Sequence, residues 1–312
     1  MIKNILVTGG AGFIGSHLCE RLSQDKLNRV ISLDDYSTGS VDNHIDGVNY
    51  VKGEVRNIEK LVNFSPDMIF HLGEYSRVEQ SFEDVERVWK SNKEGIFAIL
   101  QFCVKNKSKL IYAGSSTKFG DGGLGRSQSP YAWTKATNTE LVENYGNWFG
   151  LDYAIVYFYN VYGGREIALG KYATLIALFV EKYKNKKPLT VVSPGTQLRN
   201  FTHIDDIING LILVGKNGSG DNFGIGCSKS YSILEIAKMF GLEIEMLPER
   251  KGNRMSASVV CEKTRALGWN VRLTSVWIKR GHFAYAKPCG KLSYFYLFSV
   301  QRLGLTLYLQ DF

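Results

Sequence analysis

A glycine-rich turn near the start of the chain separates an apolar run from a helical pattern. Residues 2–8 are mostly β-branched and apolar, which predicts a buried strand, and residues 13–23 show the spacing of a helix. Between them, TGGAGFIG holds the pattern Gly10-x-Gly12-x-x-Gly15. Glycines allow a tight turn here and let the backbone approach a pyrophosphate, which the free N–H groups of the helix N-terminus stabilise. The pattern therefore predicts a site for a dinucleotide.

An acidic residue follows at the distance that such a site requires. Residues 29–33 predict a second strand, and Asp34 ends it, 19 residues beyond Gly15. A carboxylate at this place accepts hydrogen bonds from the adenosine ribose hydroxyls and repels a 2′-phosphate. We therefore expect the cofactor to be NAD and not NADP.

The rest of the first half alternates between strands and helices. Strands are predicted at 49–51, 68–71, 110–113 and 153–157, with helices at 82–105 and 131–149. This alternation is typical of an α/β fold, here a Rossmann doubly wound parallel sheet.

The pattern changes after residue 165. Helices are predicted at 172–183, 204–215 and 234–240, with a strand at 189–192. We expect a smaller C-terminal α/β substrate domain over the carboxyl edge of the sheet, where ligands bind in such folds. The predicted domains are residues 1–165 for NAD, 166–276 for the substrate, and an atypical tail at 277–312.

The tail differs in composition from the rest. It holds nine aromatic residues among 36, and five basic residues against one acidic residue. Two interpretations stay open: an arm at a surface or membrane interface, and an extension such as out-of-frame coding, since native segments usually show consistent local signals.

Composition excludes several classes of protein. The 312 residues are 44% hydrophobic, which is enough for a core and argues against disorder. The net charge of +8 suits an anionic ligand and is too small to indicate nucleic acid. No long uncharged apolar stretch predicts a membrane span. The five cysteines form no metal-binding or disulfide pattern, which favours a reducing compartment, the cytoplasm, and no metal site.

A tyrosine and a lysine share one helical face after a Ser-Pro pair. Tyr131 and Lys135 are four residues apart, and an ammonium beside a phenol favours the phenolate. Tyr131 could then act as a general base toward a sugar hydroxyl, with Ser115 hydrogen-bonded to the same group. Alone, the pair is more often an ordinary surface feature, so its weight depends on the glycine turn.

Seven motifs occur together in one order: TGGAGFIG with Asp34, HLGEYSRVEQS, GSSTKFG, SPYAWTK, YFYNVYGG and GTQLRNFTHIDD. In this, the chain resembles the extended short-chain dehydrogenases/reductases, and more narrowly the NAD-dependent nucleotide-sugar epimerases and dehydratases. The resemblance covers roughly residues 1–270. It implies a Rossmann domain, bound NAD, a nucleotide-diphosphate sugar as substrate, and a homodimer formed by the helices around 85–105 and 131–149.

The resemblance also assigns residues. It implies that Ser115, Tyr131 and Lys135 are catalytic. It implies that the cofactor is contacted by Gly9, Gly10, Gly12, Phe13, Ile14, Gly15, Asp34, Glu54, Val55, Leu72, Tyr131 and Lys135. It implies that the substrate is contacted by Arg77, Ser115, Ser116, Asn160, Arg199 and Arg250. Arginine suits a diphosphate because its fork can bind two phosphate oxygens at once. Glu54 stands where the family commonly has aspartate, so the adenine would be contacted through a longer side chain.

The reaction is either 4-epimerisation or 4,6-dehydration, and an impaired binding protein is a further alternative. Dehydration needs an acid and a base beyond the tyrosine. Resembling dehydratases place a glutamate directly after the catalytic hydroxyl residue, where this chain has Ser116 and Thr117. We therefore favour a 4-epimerase; the alternative of dehydration would require the carboxylate of Glu74 to reach the sugar. The small Ala257 favours acceptance of UDP-N-acetylglucosamine as well as UDP-glucose.

Overall fold

The computed structural model of this chain describes residues 3–119, 121–249 and 259–272. Three features of the sequence analysis lie outside these ranges: Arg250, Ala257 and the tail at 277–312.

Thirteen strands and nine α-helices are defined within the described ranges. In chain order the strands are β1 (Lys3–Thr8), β2 (Asn28–Asp34), β3 (Asn49–Lys52), β4 (Met68–His71), β5 (Lys109–Ser115), β6 (Tyr153–Phe158), β7 (Val161–Tyr162), β8 (Leu189–Val192), β9 (Leu198–Asn200), β10 (Thr202–His203), β11 (Gly220–Ile225), β12 (Ser230–Ser232) and β13 (Ile244–Leu247). The helices are α1 (Phe13–Ser23), α2 (Ile58–Leu61), α3 (Val85–Val88), α4 (Gly95–Asn106), α5 (Pro130–Phe149), α6 (Leu175–Lys184), α7 (Ile204–Asn217), α8 (Ile233–Met239) and α9 (Glu262–Ala266).

Seven strands form one parallel sheet in the order β11-β6-β5-β4-β1-β2-β3. The strand order reverses between β1 and β4, which is where a doubly wound sheet opens a crevice at its carboxyl edge. The predicted Rossmann sheet is thereby confirmed, and the six predicted strands of the first half agree with β1–β6 to within two residues at each end.

Alternate residues of the strands face two separate cores. Ile5 and Val7 pack on one side of the sheet with α1 and α7. Leu6, Ile31 and Ile69 pack on the other side with α4 and α5. Because both faces are covered by helices, the strand residues that face these two cores are mostly apolar, as expected for a parallel sheet.

The long helical pattern predicted at 82–105 is confirmed from Val85 to Asn106, and the structure adds a local irregularity within it. A π-helical turn at Trp89–Glu94 lies between α3 and α4. The cause is Asn92 inside this turn, whose Oδ1 accepts from Tyr75 N at 2.8 Å while its Nδ2 donates to Tyr75 O at 3.2 Å. The turn thus holds the loop that follows β4, and that loop borders the site described below.

The predicted helix at 172–183 begins too early, because α6 starts at Leu175. Tyr172 is instead held in the preceding loop. Its backbone carbonyl accepts from Arg77 at 2.8 Å and its hydroxyl donates to Asp84 at 3.1 Å. These long-range bonds outweigh the local helical pattern.

The later part of the chain has its own small core, with Phe179, Val191 and Phe240 among its buried residues. The strand pairs β8–β13 and β9–β12 lie in this part. However, α7 and β11 return to the large sheet, where β11 pairs with β6. The domain boundary at residue 165 remains a prediction. The structure shows in addition that α7 and β11, which follow this boundary, belong to the layer around the large sheet.

Within the described ranges, no helix combines the length and the hydropathy that crossing a bilayer requires.

Candidate active site

The turn after β1 is packed so tightly that side chains are excluded from it. Gly9 has φ +73°, in the left-handed region that favours glycine. A Cβ on Gly15 would lie 2.0 Å from the carbonyl oxygen of Gly9, and one on Gly10 would lie 2.4 Å from Ser32 Oγ in β2. The backbone at the start of α1 is therefore bare and close to the end of β1.

The N-terminus of α1 is free to bind an anion. Gly12 precedes the helix without a side-chain cap, and the first turn holds no acidic residue. The unpaired N–H groups and the helix dipole both favour a phosphate here. This geometry fits the diphosphate of a dinucleotide.

A cleft of about 720 Å³ runs from this turn along the carboxyl edge of the sheet. Twelve of the predicted site residues line it: Gly9, Gly12, Phe13, Ile14, Gly15, Asp34, Glu54, Val55, Leu72, Arg77, Tyr131 and Lys135. Five other described candidates are outside its lining: Gly10, Ser115, Ser116, Asn160 and Arg199. Gly10 and Ser115 each adjoin a lining residue in the chain, Gly9 and Gly114, whereas Ser116, Asn160 and Arg199 do not.

Asp34 is buried at the end of β2, with 6% of its surface exposed. Its Oδ2 accepts from Ala11 N at 2.9 Å and its Oδ1 from Tyr36 N at 2.8 Å. Burial raises the pKa of Asp34, and these two backbone bonds only partly oppose that rise. Since each carboxylate oxygen can accept more than one bond, ribose hydroxyls can still bind.

Glu54 lies at the rim of the cleft and is paired with a cation. Arg56 Nε donates to Glu54, and Arg56 Nη1 donates to Glu94 at 3.0 Å. The Glu54 side chain is half exposed. The longer acid thus forms an ion pair at the end of the cleft where the resemblance implies adenine.

The helix that carries Tyr131 and Lys135 begins at a well-formed cap. Ser129 Oγ accepts from Ala132 N at 3.1 Å, and Pro130 occupies the first turn. Both features favour a helix start at this place. Tyr131 and Lys135 then lie one turn apart on the cleft side.

Ser115 ends β5 and keeps a donor free. Its Oγ accepts from Thr117 Oγ1 at 2.9 Å and from Thr117 N at 3.3 Å. Two acceptor positions of the hydroxyl are thereby used, which leaves its O–H to donate. Ser115 is therefore prepared to donate a hydrogen bond to a ligand oxygen.

Glu74 lines the cleft, but its carboxylate is engaged by contacts within the protein. Its side chain is only 3% exposed and contacts the ammonium of Lys135. Tyr112 Oη donates to it at 3.1 Å and Asn138 Nδ2 at 3.2 Å. Burial alone would raise the pKa of Glu74, but Lys135 and His71 lower it to about 2. Sequence reasoning missed this role; the one signal was a charged residue just after a buried strand.

Arg77 lines the cleft but is held by its neighbours. Besides its bond to Tyr172 O, its Nη1 donates to Ser76. Burial lowers the pKa of Arg77. It thus joins the loop after β4 to the loop before α6.

Asn160 and Arg199 lie on adjacent segments. Asn160 Nδ2 donates to Asn200 O at 3.4 Å, next to Arg199 in the chain. The backbone carbonyl of Asn160 also accepts from Thr202 N at 3.0 Å. The structure therefore brings these two predicted substrate ligands to one region, while Arg250 is outside the described ranges.

Comparison with known proteins supports the same interpretation. The sequence profile of the NAD dependent epimerase/dehydratase family matches residues 5–226. A putative UDP-glucose 4-epimerase of Methanocaldococcus jannaschii is 29% identical over 85% of this chain and 92% of its own length. A dTDP-D-glucose 4,6-dehydratase of Dictyostelium discoideum is 29% identical over 76% of this chain and 61% of its own length.

Solved structures agree in fold. UDP-glucose 4-epimerase of Thermotoga maritima, solved with UDP-glucose, has a TM-score of 0.83 and 26% identity, covering 88% of this chain and 96% of its own. The enzyme of Thermus thermophilus, solved with NAD, has a TM-score of 0.80 and 26% identity with the same coverage. The bare turn, the acid at the end of β2 and these matches agree that the cofactor is NAD.

Replacing Gly15 by alanine should weaken NAD binding by about tenfold or more, because a loss of about 1.4 kcal/mol suffices for that change. The new Cβ would collide with the Gly9 carbonyl and push α1 away from the turn. The matched control is Gly95→Ala, where the nearest atom is 3.9 Å from the new Cβ. Calorimetric titration with NAD measures both; equal affinities would contradict the packing argument.

Replacing Asp34 by asparagine should raise NADP affinity relative to NAD by about tenfold. One unit of repulsion near 4 Å is worth about 1–4 kcal/mol, depending on the local dielectric. Asp46→Asn removes the same charge at an exposed position outside the cleft lining and should leave the ratio unchanged. An unchanged ratio in Asp34→Asn would show that this carboxylate does not select the cofactor.

Proposed function

Because this chain belongs to the NAD dependent epimerase/dehydratase family, we propose that it is a nucleotide-sugar 4-epimerase acting on UDP-glucose and UDP-N-acetylglucosamine. NAD held in the cleft would supply a reversible hydride acceptor, so that a sugar oxidised at C4 could be reduced again on its opposite face. The enzyme passes through a 4-keto sugar and leaves no net oxidation.

In this proposal Tyr131 takes the proton of the 4-hydroxyl. Ser115 donates its free O–H to the same sugar oxygen. The ammonium of Lys135 stabilises the negative charge of the Tyr131 phenolate. General base catalysis by a positioned side chain is worth about 10²–10⁴-fold in rate. After the keto sugar has rotated to present its other face, Tyr131 returns the proton to the sugar oxygen.

The observation that carries the choice of reaction is the engagement of Glu74. A dehydratase needs an acid or base beyond Tyr131 to remove the C5 proton and expel the 6-hydroxyl. One oxygen of Glu74 is ion-paired with Lys135 and accepts from Tyr112, and the other accepts from Asn138. A carboxylate whose pKa is lowered to about 2 by these contacts is a weak base. Ser116 and Thr117 follow Ser115, and a hydroxyl is a poor base for a carbon-bound proton.

The substrate diphosphate is assigned in this proposal to the later part of the chain. Arg199 lies there beside Asn160, which belongs to the first domain, and Arg250 adds a third ligand by resemblance. Residues 166–276 are thus proposed as the nucleotide-sugar domain, completed on the cofactor side by Arg77 in the cleft.

Incubation of the purified protein with UDP-glucose or UDP-N-acetylglucosamine should give the C4 epimer, followed by NMR of the sugar. Tyr131→Phe should lower kcat by about 10²–10⁴-fold, because the proton acceptor is lost. A 4-keto-6-deoxy sugar would establish dehydration instead. Stoichiometric release of NADH would indicate a dehydrogenase, and binding without turnover an impaired enzyme.

A homodimer is proposed as the functional unit. Large apolar side chains are exposed on neighbouring helical segments: Phe82, Val85, Trp89, Phe97 and Trp133. The rings of Trp89 and Trp133 stack across two of these segments at 6.3 Å. Such a patch on α3, α4 and α5 is best covered by the same patch of a second copy, related by a two-fold axis.

Replacing Phe97 and Trp133 together by glutamate should convert the dimer to a monomer, because a carboxylate cannot be buried unpaired. Light scattering after size-exclusion chromatography measures the mass. Met246→Glu introduces the same charge at a side chain that is 46% exposed on β13, and should leave the mass unchanged. A wild-type protein that is monomeric at micromolar concentration would overturn the dimer.

A cytoplasmic location is also proposed. Cys19, Cys103, Cys227 and Cys261 are buried free thiols in the described part of the chain. Burial raises the pKa of Cys19 and of Cys103 to about 12, so neither thiol is reactive. Inert buried thiols suit a reducing compartment.

A further inference from the structure

The ammonium of Lys135 is held on two sides by the protein. It donates to Glu74 Oε2 and to the carbonyl oxygen of Ala113, and it lies 4.5 Å from the centre of the Tyr112 ring. An ammonium has three N–H donors, and two are thereby fixed. Because Lys135 lines the cleft, the third donor is left for a ligand in the cleft.

The carboxylate that fixes Lys135 is itself rigid. Besides the bonds from Tyr112 and Asn138, its Oε1 lies 3.4 Å from His71 Nε2. The next residue, Tyr75, is clamped through its backbone by Asn92 of the π-helical turn. Glu74 therefore has little freedom to leave Lys135 during a reaction.

The histidine in this network is neutral by hydrogen-bond counting. Thr8 Oγ1 accepts from Leu72 N at 3.1 Å and from Gly73 N at 3.0 Å, so its O–H is left to donate to His71 Nδ1 at 2.7 Å. Nδ1 is thus an acceptor, and the ring proton is assigned to Nε2, which faces Glu74. The negative charge of Glu74 is therefore balanced by Lys135 and not by His71.

We propose that Glu74 is the positioning residue of the catalytic lysine, and that its carboxylate compensates the positive charge gathered around Tyr131. This inference rests on the proposed reaction for the role of Tyr131, but the ion pair itself does not. Lys135 and an oxidised nicotinamide ring would otherwise place two positive charges side by side in a buried cleft. The chain Thr8–His71–Glu74–Lys135 also ties the end of β1, where the glycine turn starts, to the reacting residues.

The sign of the effect on proton binding follows from charge alone. Removing a nearby negative charge makes every group in the cluster lose its proton more readily. The groups that face Glu74 and Lys135, or the neighbouring Tyr131, from all packed elements are His71, Lys93, Tyr112, Tyr131 and Arg77. Loss of the Glu74 charge acts on all of these groups in the same direction, so both limbs of the rate profile should move to lower pH.

The isosteric variant Glu74→Gln should move the whole pH profile of kcat to lower pH by about one unit or more, since unit charges in a partly buried site interact by more than about 1.4 kcal/mol. Glu74→Asp keeps the charge and should restore the position of the profile. Asp206→Asn is the matched control, because Asp206 is a buried carboxylate, 1% exposed, that caps Arg272 N outside the cleft. A lower kcat at every pH with an unshifted profile would reduce Glu74 to a packing role and overturn the proposal.

Cofactor binding separates this proposal from the proposed reaction, because it needs no sugar substrate. In protein freed of cofactor, Glu74→Gln should weaken oxidised NAD relative to NADH by about tenfold. An unchanged ratio of the two dissociation constants would overturn charge compensation, even if the epimerase assay succeeds. A changed ratio supports it, even if no tested sugar is turned over.

Stability provides a further check if Glu74→Gln folds poorly. Lys135→Met alone strands a buried carboxylate, whereas Lys135→Met with Glu74→Gln removes both charges. The double variant should therefore unfold at a higher temperature than Lys135→Met. A double variant that is no more stable would show that the two side chains are not energetically paired.

Discussion

Parallel strands end at one edge of the sheet, and that constraint places four of the proposed functional features. The glycine turn follows β1, Asp34 ends β2, Glu74 follows β4 and Ser115 ends β5. Their separation in sequence does not matter, because the register of the ladder places the strand ends side by side. The order reversal between β1 and β4 then opens the crevice in which these groups meet.

Charge decides how the groups work together once they are placed. Lys135 is almost fully buried, and a bare ammonium there would be strongly disfavoured. Glu74 makes its charge tolerable and restricts its position. A buried cation is stabilised by a nearby anion, and the Glu74 carboxylate supplies that anion to Lys135.

Local sequence patterns predicted most of the helices and strands. Contacts between residues distant in sequence determined the features that these patterns did not predict. The Ser129–Pro130 start of α5 and the glycine turn are encoded within a few residues, so both were predictable. The contact between Glu74 and Lys135 joins residues 61 positions apart, and no period or spacing records it. The π-helical turn was missed for the same reason, because Asn92 bonds to a backbone that lies outside its own helix. Tyr172 lies outside its predicted helix, because its backbone carbonyl accepts a hydrogen bond from Arg77, which is also distant in sequence.

The return of α7 and β11 to the large sheet has a consequence for how the chain is made. The last strand of the large sheet in chain order is β11, which ends at Ile225. It pairs with β6, which ends at Phe158. A nascent chain emerging from the ribosome therefore cannot complete its seven-stranded sheet until the chain has been synthesised through β11. Until then one edge of β6 is unpaired, and such an edge invites wrong partners. Coding changes that slow or interrupt translation between these two strands would prolong that exposure, although they alter no residue of the finished cleft.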